Sequence, residues 1–155
     1  MEKKPHSLII KRIRDEAREI RAFDMQVAET GDSHGLKFLP GQVAILRAGG
    51  EAPAYFAFAS APEDVELEFL IKRGQGASGV IYEMREGDHV ELLDVVGHGF
   101  QLDEQRGKDL VFVAMGTGVA PLRSALRHAI RHKEDYGQLV VLYGARTPAH
   151  FCYAD

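Results

Sequence analysis

The sequence is short of several things, and each shortage excludes a class of protein. It has one cysteine, Cys152, which cannot form an internal disulfide and points to a reducing, cytoplasmic setting. A single thiol also excludes an iron–sulfur cluster held by this chain's own cysteines, because such clusters need about four thiolates. No apolar run reaches membrane-spanning length, and "MEKKPHSLIIKRIRDE" has no uninterrupted signal-peptide core. There is no excess of positive charge. The formal net charge is −4, which argues against a nonspecific nucleic-acid binder. Internal repeats, low-complexity tracts and an evident catalytic dyad are also missing.

What remains is ordinary for a globular protein: 155 residues, 45% hydrophobic and 27% charged. The chain changes character near residue 109. Before it, short apolar runs alternate with turn signals. "SLIIKRI", "IRAFDMQV", "QVAILRA", "AYFAFAS", "VELEFLIK" and "HVELLDVV" read as strands, separated by "ETGDSHG", "LPGQ", "AGGEAP", "SAPED" and "REGD". Six short strands predict an antiparallel β-barrel over residues 1–108, with one short helix at "ASGVIYEMR". From residue 109 to 155 the rhythm is strand, helix, strand. "LVFVAM" and "QLVVLYG" are continuous apolar runs, the pattern of parallel strands buried on both faces. Between them Leu122, Ala125, Leu126, Ala129 and Ile130 recur at helical spacing, with Pro121 acceptable in the first turn. The expected fold is mixed: the barrel, then the first β-α-β part of a Rossmann-like α/β lobe.

The loop "GTGVAP" joins the first of those strands to the helix. Gly116 and Gly118 permit a sharp turn and close approach of backbone to a ligand, and a helix N-terminus there suits a pyrophosphate. The spacing alone is weak, since tight strand-to-helix turns use glycine for steric reasons too.

Five segments in order carry a more specific signal. "FLPGQ" resembles the F-x-P-G-Q turn of the ferredoxin–NADP⁺ reductase family, and "REGDHVEL" its G-D-x-V strand entry. "VVGHGF" lies where the family has G-P-x-G-x-F. "GTGVAPLRS" is similar to its G-T-G-[IV]-A-P-x-R-S, and "LYGAR" to its Y-G-x-R. "PAYFAFASAP", "EFLIK" and "VVGHGF" together resemble a divergent branch, the plant fruit-protein-like oxidoreductases. The resemblance implies an oxidoreductase that passes electrons between NAD(P)H and an acceptor through FAD, with the flavin carrying the redox work.

By resemblance, Phe56, Phe58 and Ser60 line the isoalloxazine side, and Tyr55 and Ala57 are further cofactor-binding positions of the same segment. Gly76, Ala77 and Ser78 hold the flavin phosphates, with Lys72 and Arg73 adding charge. Gly116, Thr117 and Gly118 face the pyrophosphate and nicotinamide of NAD or NADP, and Arg146 its adenosine end. The chain departs from the family's Arg-x-Tyr-Ser flavin signature: Ala54 replaces the arginine, Phe56 the tyrosine and Ala57 the serine. A rival reading follows from those losses, a non-catalytic binding or assembly subunit that keeps the scaffold without flavin.

The family's lobe has about five parallel strands, and this sequence supplies two. The resemblance therefore implies a C-terminally truncated lobe, with "RTPAHFCYAD" as the start of the next helix. Weak NAD(P)H binding, a completing chain or electron-transfer protein as partner, and homo-oligomers formed through the unfinished lobe are the corresponding expectations. His128 and His132 lie four apart among Arg123, Arg127, Arg131 and Lys133. With no third ligand apparent and cations all around, the sequence predicts no metal there. The arginine stripe reads as a solvated helix face, or as a dock for an acidic partner.

Overall fold

The computed structural model describes residues 4–31 and 35–155. The turn expected at "ETGDSHG" therefore lies partly outside the described residues. Eight strands and two helices follow in order. They are β1 (His6–Ala17), β2 (Ile20–Val27), β3 (Val43–Arg47), β4 (Ala54–Ala57), β5 (Leu67–Lys72), α1 (Gly76–Tyr82), β6 (His89–Val96), β7 (Leu110–Met115), α2 (Val119–Arg131) and β8 (Leu139–Gly144).

The first six strands form one antiparallel sheet in the order β4-β3-β6-β1-β2-β5. Its two edge strands meet without a continuous ladder. Phe58 and Phe69 form a single bridge, the Ala59 N–H donates to Glu68 O at 2.8 Å, and the Glu68 N–H donates to Ser60 Oγ at 3.0 Å. The edges of the curved sheet are thus joined just past the end of β4. That is why β4 stops at Ala57 rather than running to Ser60.

The inside of this sheet is a continuous apolar core including Leu8, Ile10, Phe23, Met25, Leu46, Phe69, Ile71 and Leu92, with Ile81 entering from α1. Phe58 is fully buried at its centre, stacked on Phe38 at 4.0 Å and tilted against Phe69 at 5.1 Å. Phe38 begins the "FLPGQ" turn, and that turn is built to grip "VVGHGF". Gln42 Oε1 accepts the Leu39 N–H at 2.7 Å while Gln42 Nε2 donates to Gly97 O at 2.8 Å. The Phe100 N–H donates to Pro40 O at 2.7 Å. Gly41 has φ +91°, and a Cβ there would sit 2.8 Å from the Phe100 ring; one on Gly99 would sit 2.9 Å from Pro40 O. These two motifs are one clasp, and their residue types are dictated by packing.

The second sheet is the parallel pair β7–β8, in register from Leu110–Leu139 to Met115–Gly144. Helix α2 covers one face through Phe112, Ala125 and Ala129, with Tyr136 closing the end. A second apolar seam joins this unit to the barrel's outer wall: Ile20, Ala22, Ala59 and Leu70 pack on Ala114, Val119, Ala120 and Cys152.

Two expectations need correction here. β7 and β8 are not buried on both faces: Val111, Val113, Met115 and Leu142 are 60%, 65%, 75% and 56% exposed. Among the described residues nothing covers that face. Nor is "RTPAHFCYAD" the start of a helix. It makes one 3₁₀ turn at Pro148–His150, then docks on the barrel. Ala149 O accepts the Arg18 N–H at 2.9 Å, and the Tyr153 N–H donates to Glu16 Oε2 at 3.0 Å.

Because Phe58 fills the place where the sheet's edges join, Phe58→Ala leaves a cavity there that neighbours cannot collapse into. Urea unfolding should show a loss of about 3–5 kcal/mol. A loss below about 1 kcal/mol would show that the join is not a tight part of the core.

Candidate functional site

Strand parity decides what β4 offers to a ligand. Ala54 pairs with Leu46 and Phe56 with Ala44, both buried, so the even positions face the core. The odd positions face out. Tyr55 is 69% exposed, Ala57 packs toward the seam, and Ala59 lies inside it. The ring available on this wall is therefore Tyr55. Phe56 is half-buried against the core, and Phe58 is sealed within it. Ser60 is also buried, its hydroxyl accepting the Glu68 N–H. Sequence resemblance had grouped these residues together, and the pleat separates them. The alternation was legible, but the choice of inward parity depends on Ala44 and Leu46 across the ladder.

The turn into α1 keeps Gly76 at φ +64° and leads into a helix whose first backbone N–H groups have no intrahelical acceptor. Gly79 must be glycine, since a Cβ there would fall 2.2 Å from Gly74 O. Ala77 is buried. Ser78 Oγ donates to Lys72 O at 2.5 Å, so its hydroxyl proton is committed to the loop and only its lone pairs remain free. Of the two cations before this turn, Arg73 is engaged, paired with Glu83 at 3.1 Å and lying over the Tyr82 ring. Lys72 is not so held.

Lys72 instead lines a cleft with Arg18, Glu19, Ile20, Met115, Gly116, Thr117, Ala145, Arg146 and His150. One cleft therefore collects four residues that the sequence placed in two separate ligand subsites: Lys72, Gly116, Thr117 and Arg146. Arg18 was missed, because it sits in the β1–β2 turn and no motif marks it. The "GTG" segment is a 3₁₀ turn (Gly116–Gly118), with Gly116 at φ +55°, running straight into α2. Gly116 O accepts the Tyr143 hydroxyl at 2.9 Å, which fixes the turn to the end of β8. Thr117 and Gly118 are exposed at the C-terminal end of β7. Three cations around a turn that opens a helix suit a dianionic group.

Behind the cleft, the lobe is held to the barrel by charge. Asp24 and Glu68 are 2% and 7% exposed. Arg14 reaches both, at 2.5 Å and 2.9 Å. Arg123 adds 3.3 Å to Glu68 and donates to Ala59 O at 2.9 Å, and the Tyr153 hydroxyl donates to Glu68. Burial first, and the neighbouring Glu68 carboxylate next, push the Tyr153 phenol far above its ordinary range. It stays a donor. Removing one member of such a set leaves a buried charge unpaired.

The arginine stripe on α2 is neither a free solvated face nor an open docking surface. Arg127 pairs with Asp64 at 2.8 Å and Arg131 with the same carboxylate at 2.5 Å, and His128 and His132 both bond Glu63. These acids belong to the turn between β4 and β5, some sixty residues away, so only the folded chain brings them to the helix.

Comparison with known proteins agrees with this fold. The family model of the oxidoreductase NAD-binding domain matches residues 112–155. The chain is 29% identical over 137 residues to the sulfhydrogenase 2 gamma subunit of Pyrococcus furiosus, covering 87% of this chain and 46% of that one. It is 33% identical over 132 residues to ferredoxin–NADP reductase B of Sorangium cellulosum, covering 82% and 54%. Its fold superposes on ferredoxin–NADP⁺ reductase from Plasmodium falciparum with a TM-score of 0.82 at 18% identity, covering 97% and 62%. The chain spans about half the length of the curated relatives it matches. A flavin-type barrel followed by the opening strands of a nucleotide lobe defines the class, an FAD/NAD oxidoreductase scaffold. Within that class the chain is similar to ferredoxin–NADP⁺ reductase-like proteins.

The lobe–barrel ion pairs carry a pH signature. Burial alone would raise the Asp64 pKa, but hydrogen bonds from Arg127, the Ala61 N–H and Arg131 outweigh it and bring it to about 2. An unfolded aspartate titrates near ~3.9. The folded value is the lower one, so the ionised carboxylate stabilises fully above about pH 4 and that contribution fades as pH falls through about 2. Urea midpoints should drop more steeply across this window in the wild type than in Asp64→Asn. Parallel profiles would show that Asp64 does not hold the helix.

Proposed function

We propose that the chain is the flavin-side module of an NAD(P)H-dependent electron-transfer reductase. Residues 1–108 would form the flavin barrel and residues 109–155 the first part of the nucleotide lobe. The observation that carries this reading is the single cleft in which Lys72 at the end of β5 meets Gly116, Thr117 and Arg146 at the ends of β7 and β8. In open α/β lobes, ligands lie at the carboxyl ends of the strands, and here that edge abuts the barrel. The electron-transfer role is supported by relatives named as a ferredoxin–NADP reductase and a sulfhydrogenase subunit. The second of these also supports a partner chain.

The residues present fit FAD in part. Tyr55 offers an exposed ring on the outer wall of β4. The backbone N–H groups of Gly76, Ala77 and Ser78, together with Lys72, offer donors and charge for a diphosphate. Ala54 offers no charge and Ala57 no hydrogen bond, and Ala54 is half-buried opposite Leu46. A bound flavin would supply the two-electron and one-electron chemistry that the side chains lack. The protein's own part is to stack the ring on Tyr55, neutralise the diphosphate with Lys72, and keep the nucleotide corner fixed against the barrel. For NAD or NADP, the Gly116–Gly118 turn and Arg146 hold phosphate and little else. Affinity from these described residues alone is expected to be weak, at about millimolar.

Reconstitution with FAD tests the reading. The expected outcome is a yellow protein that quenches flavin fluorescence. Tyr55→Ala should weaken binding about tenfold through loss of stacking, and Lys72→Ala should weaken it in a salt-dependent way. Phe58→Leu should leave it unchanged, because Phe58 never meets the ligand. Failure of the folded wild type to bind FAD would favour the rival reading, an assembly subunit that keeps the scaffold alone.

The bare face of β7–β8 also supports association, either with a completing chain or with a second copy. Val111, Val113, Met115, Val140 and Leu142 share it, and an uncovered apolar sheet recruits a partner. Light scattering should show this chain self-associating as its concentration rises, and Val113→Lys with Leu142→Lys should return it to monomer. A clean monomer at high concentration would contradict the expectation.

A further inference from the structure

Glu63, His128 and His132 form a cluster that the proposed redox role does not use. Their candidate donor atoms, one per residue, all lie within 4.8 Å of one another. His132 Nε2 is 3.1 Å from Glu63 Oε1, and His128 Nδ1 bonds the same oxygen. The two imidazoles lie side by side, tilted by 43° with centroids 4.6 Å apart. Neighbouring ligands on a tetrahedral ion with bonds of about 2.0–2.1 Å stand roughly 3.3 Å apart, so only small side-chain shifts are required.

Three features make this more than a chance meeting of polar groups. His128 lies in the last turn of α2 and His132 is its C-cap, four residues on, its N–H donating to His128 O at 3.2 Å, so the helix end holds the two rings side by side. Glu63 is presented by a turn that is itself braced, with the Ala61 N–H donating to Asp64 Oδ2 at 2.7 Å and the Asp64 N–H to Ala61 O at 3.0 Å. The surrounding cations are engaged mainly by Asp64: Arg127 pairs with it at 2.8 Å and Arg131 at 2.5 Å, while Arg131 makes only a long 3.9 Å ion pair to the Glu63 oxygen Oε2 that the histidines do not bond. Those arginines were the reason to expect no metal from sequence, and Asp64 offsets them. The side chains of His128, Glu63 and His132 are 21%, 33% and 43% exposed, which leaves a coordination position for water.

We propose that Glu63, His128 and His132 bind one borderline divalent cation of the zinc type, a clip that ties α2 to the turn between β4 and β5. Two imidazole nitrogens and one carboxylate oxygen select such ions over calcium or magnesium, which prefer all-oxygen ligands. The clip spans the junction of barrel and lobe and lies outside the Lys72–Arg146 cleft. Its role is to lock the two units together, because an ion that binds only the folded chain stabilises it.

The test is a Co²⁺ titration of the full chain at neutral pH, read as visible d–d absorption, followed by displacement with Zn²⁺. One equivalent should bind, and Zn²⁺ should displace it. At a hundredfold excess over Kd, Zn²⁺ should raise Tm by roughly 5–10 °C. Glu63→Gln should weaken binding at least tenfold, and His128→Asn with His132→Asn should abolish both signals. His98→Asn, an exposed histidine elsewhere, should retain them. Binding should weaken on acidification, because protons compete with the metal for its ligand atoms. Absence of a cobalt spectrum in the wild type, or an equal Tm shift in the double-histidine variant, would overturn the proposal.

Discussion

Glu68 is where the structure is tied together. Its backbone joins the two edges of the curved sheet through Ala59 and Ser60. Its carboxylate, nearly buried, collects Arg14 from β1, Arg123 from α2 and the Tyr153 hydroxyl from the chain's last turn. A buried carboxylate is costly unless it is fully bonded, so each of these groups is held in one place. The cleft depends on that constraint. Lys72 is four residues along β5 from Glu68, while Gly116 and Thr117 lead into the helix that carries Arg123. Fixing Arg123 on Glu68 sets where the glycine turn stands relative to Lys72.

Apolar and polar layers divide the work at this junction. The seam of Ala22, Ala59, Ala114, Ala120 and their neighbours is made of small side chains that allow close approach but little directional choice. Direction comes from the ion pairs on α2, where Arg123, Arg127 and Arg131 meet acids on the barrel at successive turns. A helix held at three points along its length has little freedom to rotate. This is why the stripe's pairing matters more than its net charge.

Much of the fold was legible in the sequence because its signals are local. All eight expected strands are present, though β1 runs on to Ala17 and β4 stops at Ala57, and α2 begins two residues before Pro121 because the glycine turn feeds it directly. The family motifs were legible too, though two of them proved to be a packing clasp between Gln42, Gly97 and Phe100. What could not be read depends on distant partners. Phe58 and Ser60 looked like site residues until the join with Phe69 and Glu68 drew them inward. Ser78 looked like a phosphate donor until its hydroxyl met Lys72 O. Glu63 is 65 and 69 positions from its two histidines, and no spacing rule connects them. The uncovered face of β7–β8 was legible only as an apolar run, which by itself predicts burial.

The central claim is that the Glu68 carboxylate couples the glycine turn and α2 to the barrel. Residue-resolved hydrogen exchange on the wild type and Glu68→Gln tests it most directly. The account predicts that amides of β7 and α2 lose protection in the variant while those of β1, β2 and β6 keep theirs, since the backbone closure at Ala59 is untouched. Unchanged protection in α2, or an equal loss throughout the barrel, would contradict it.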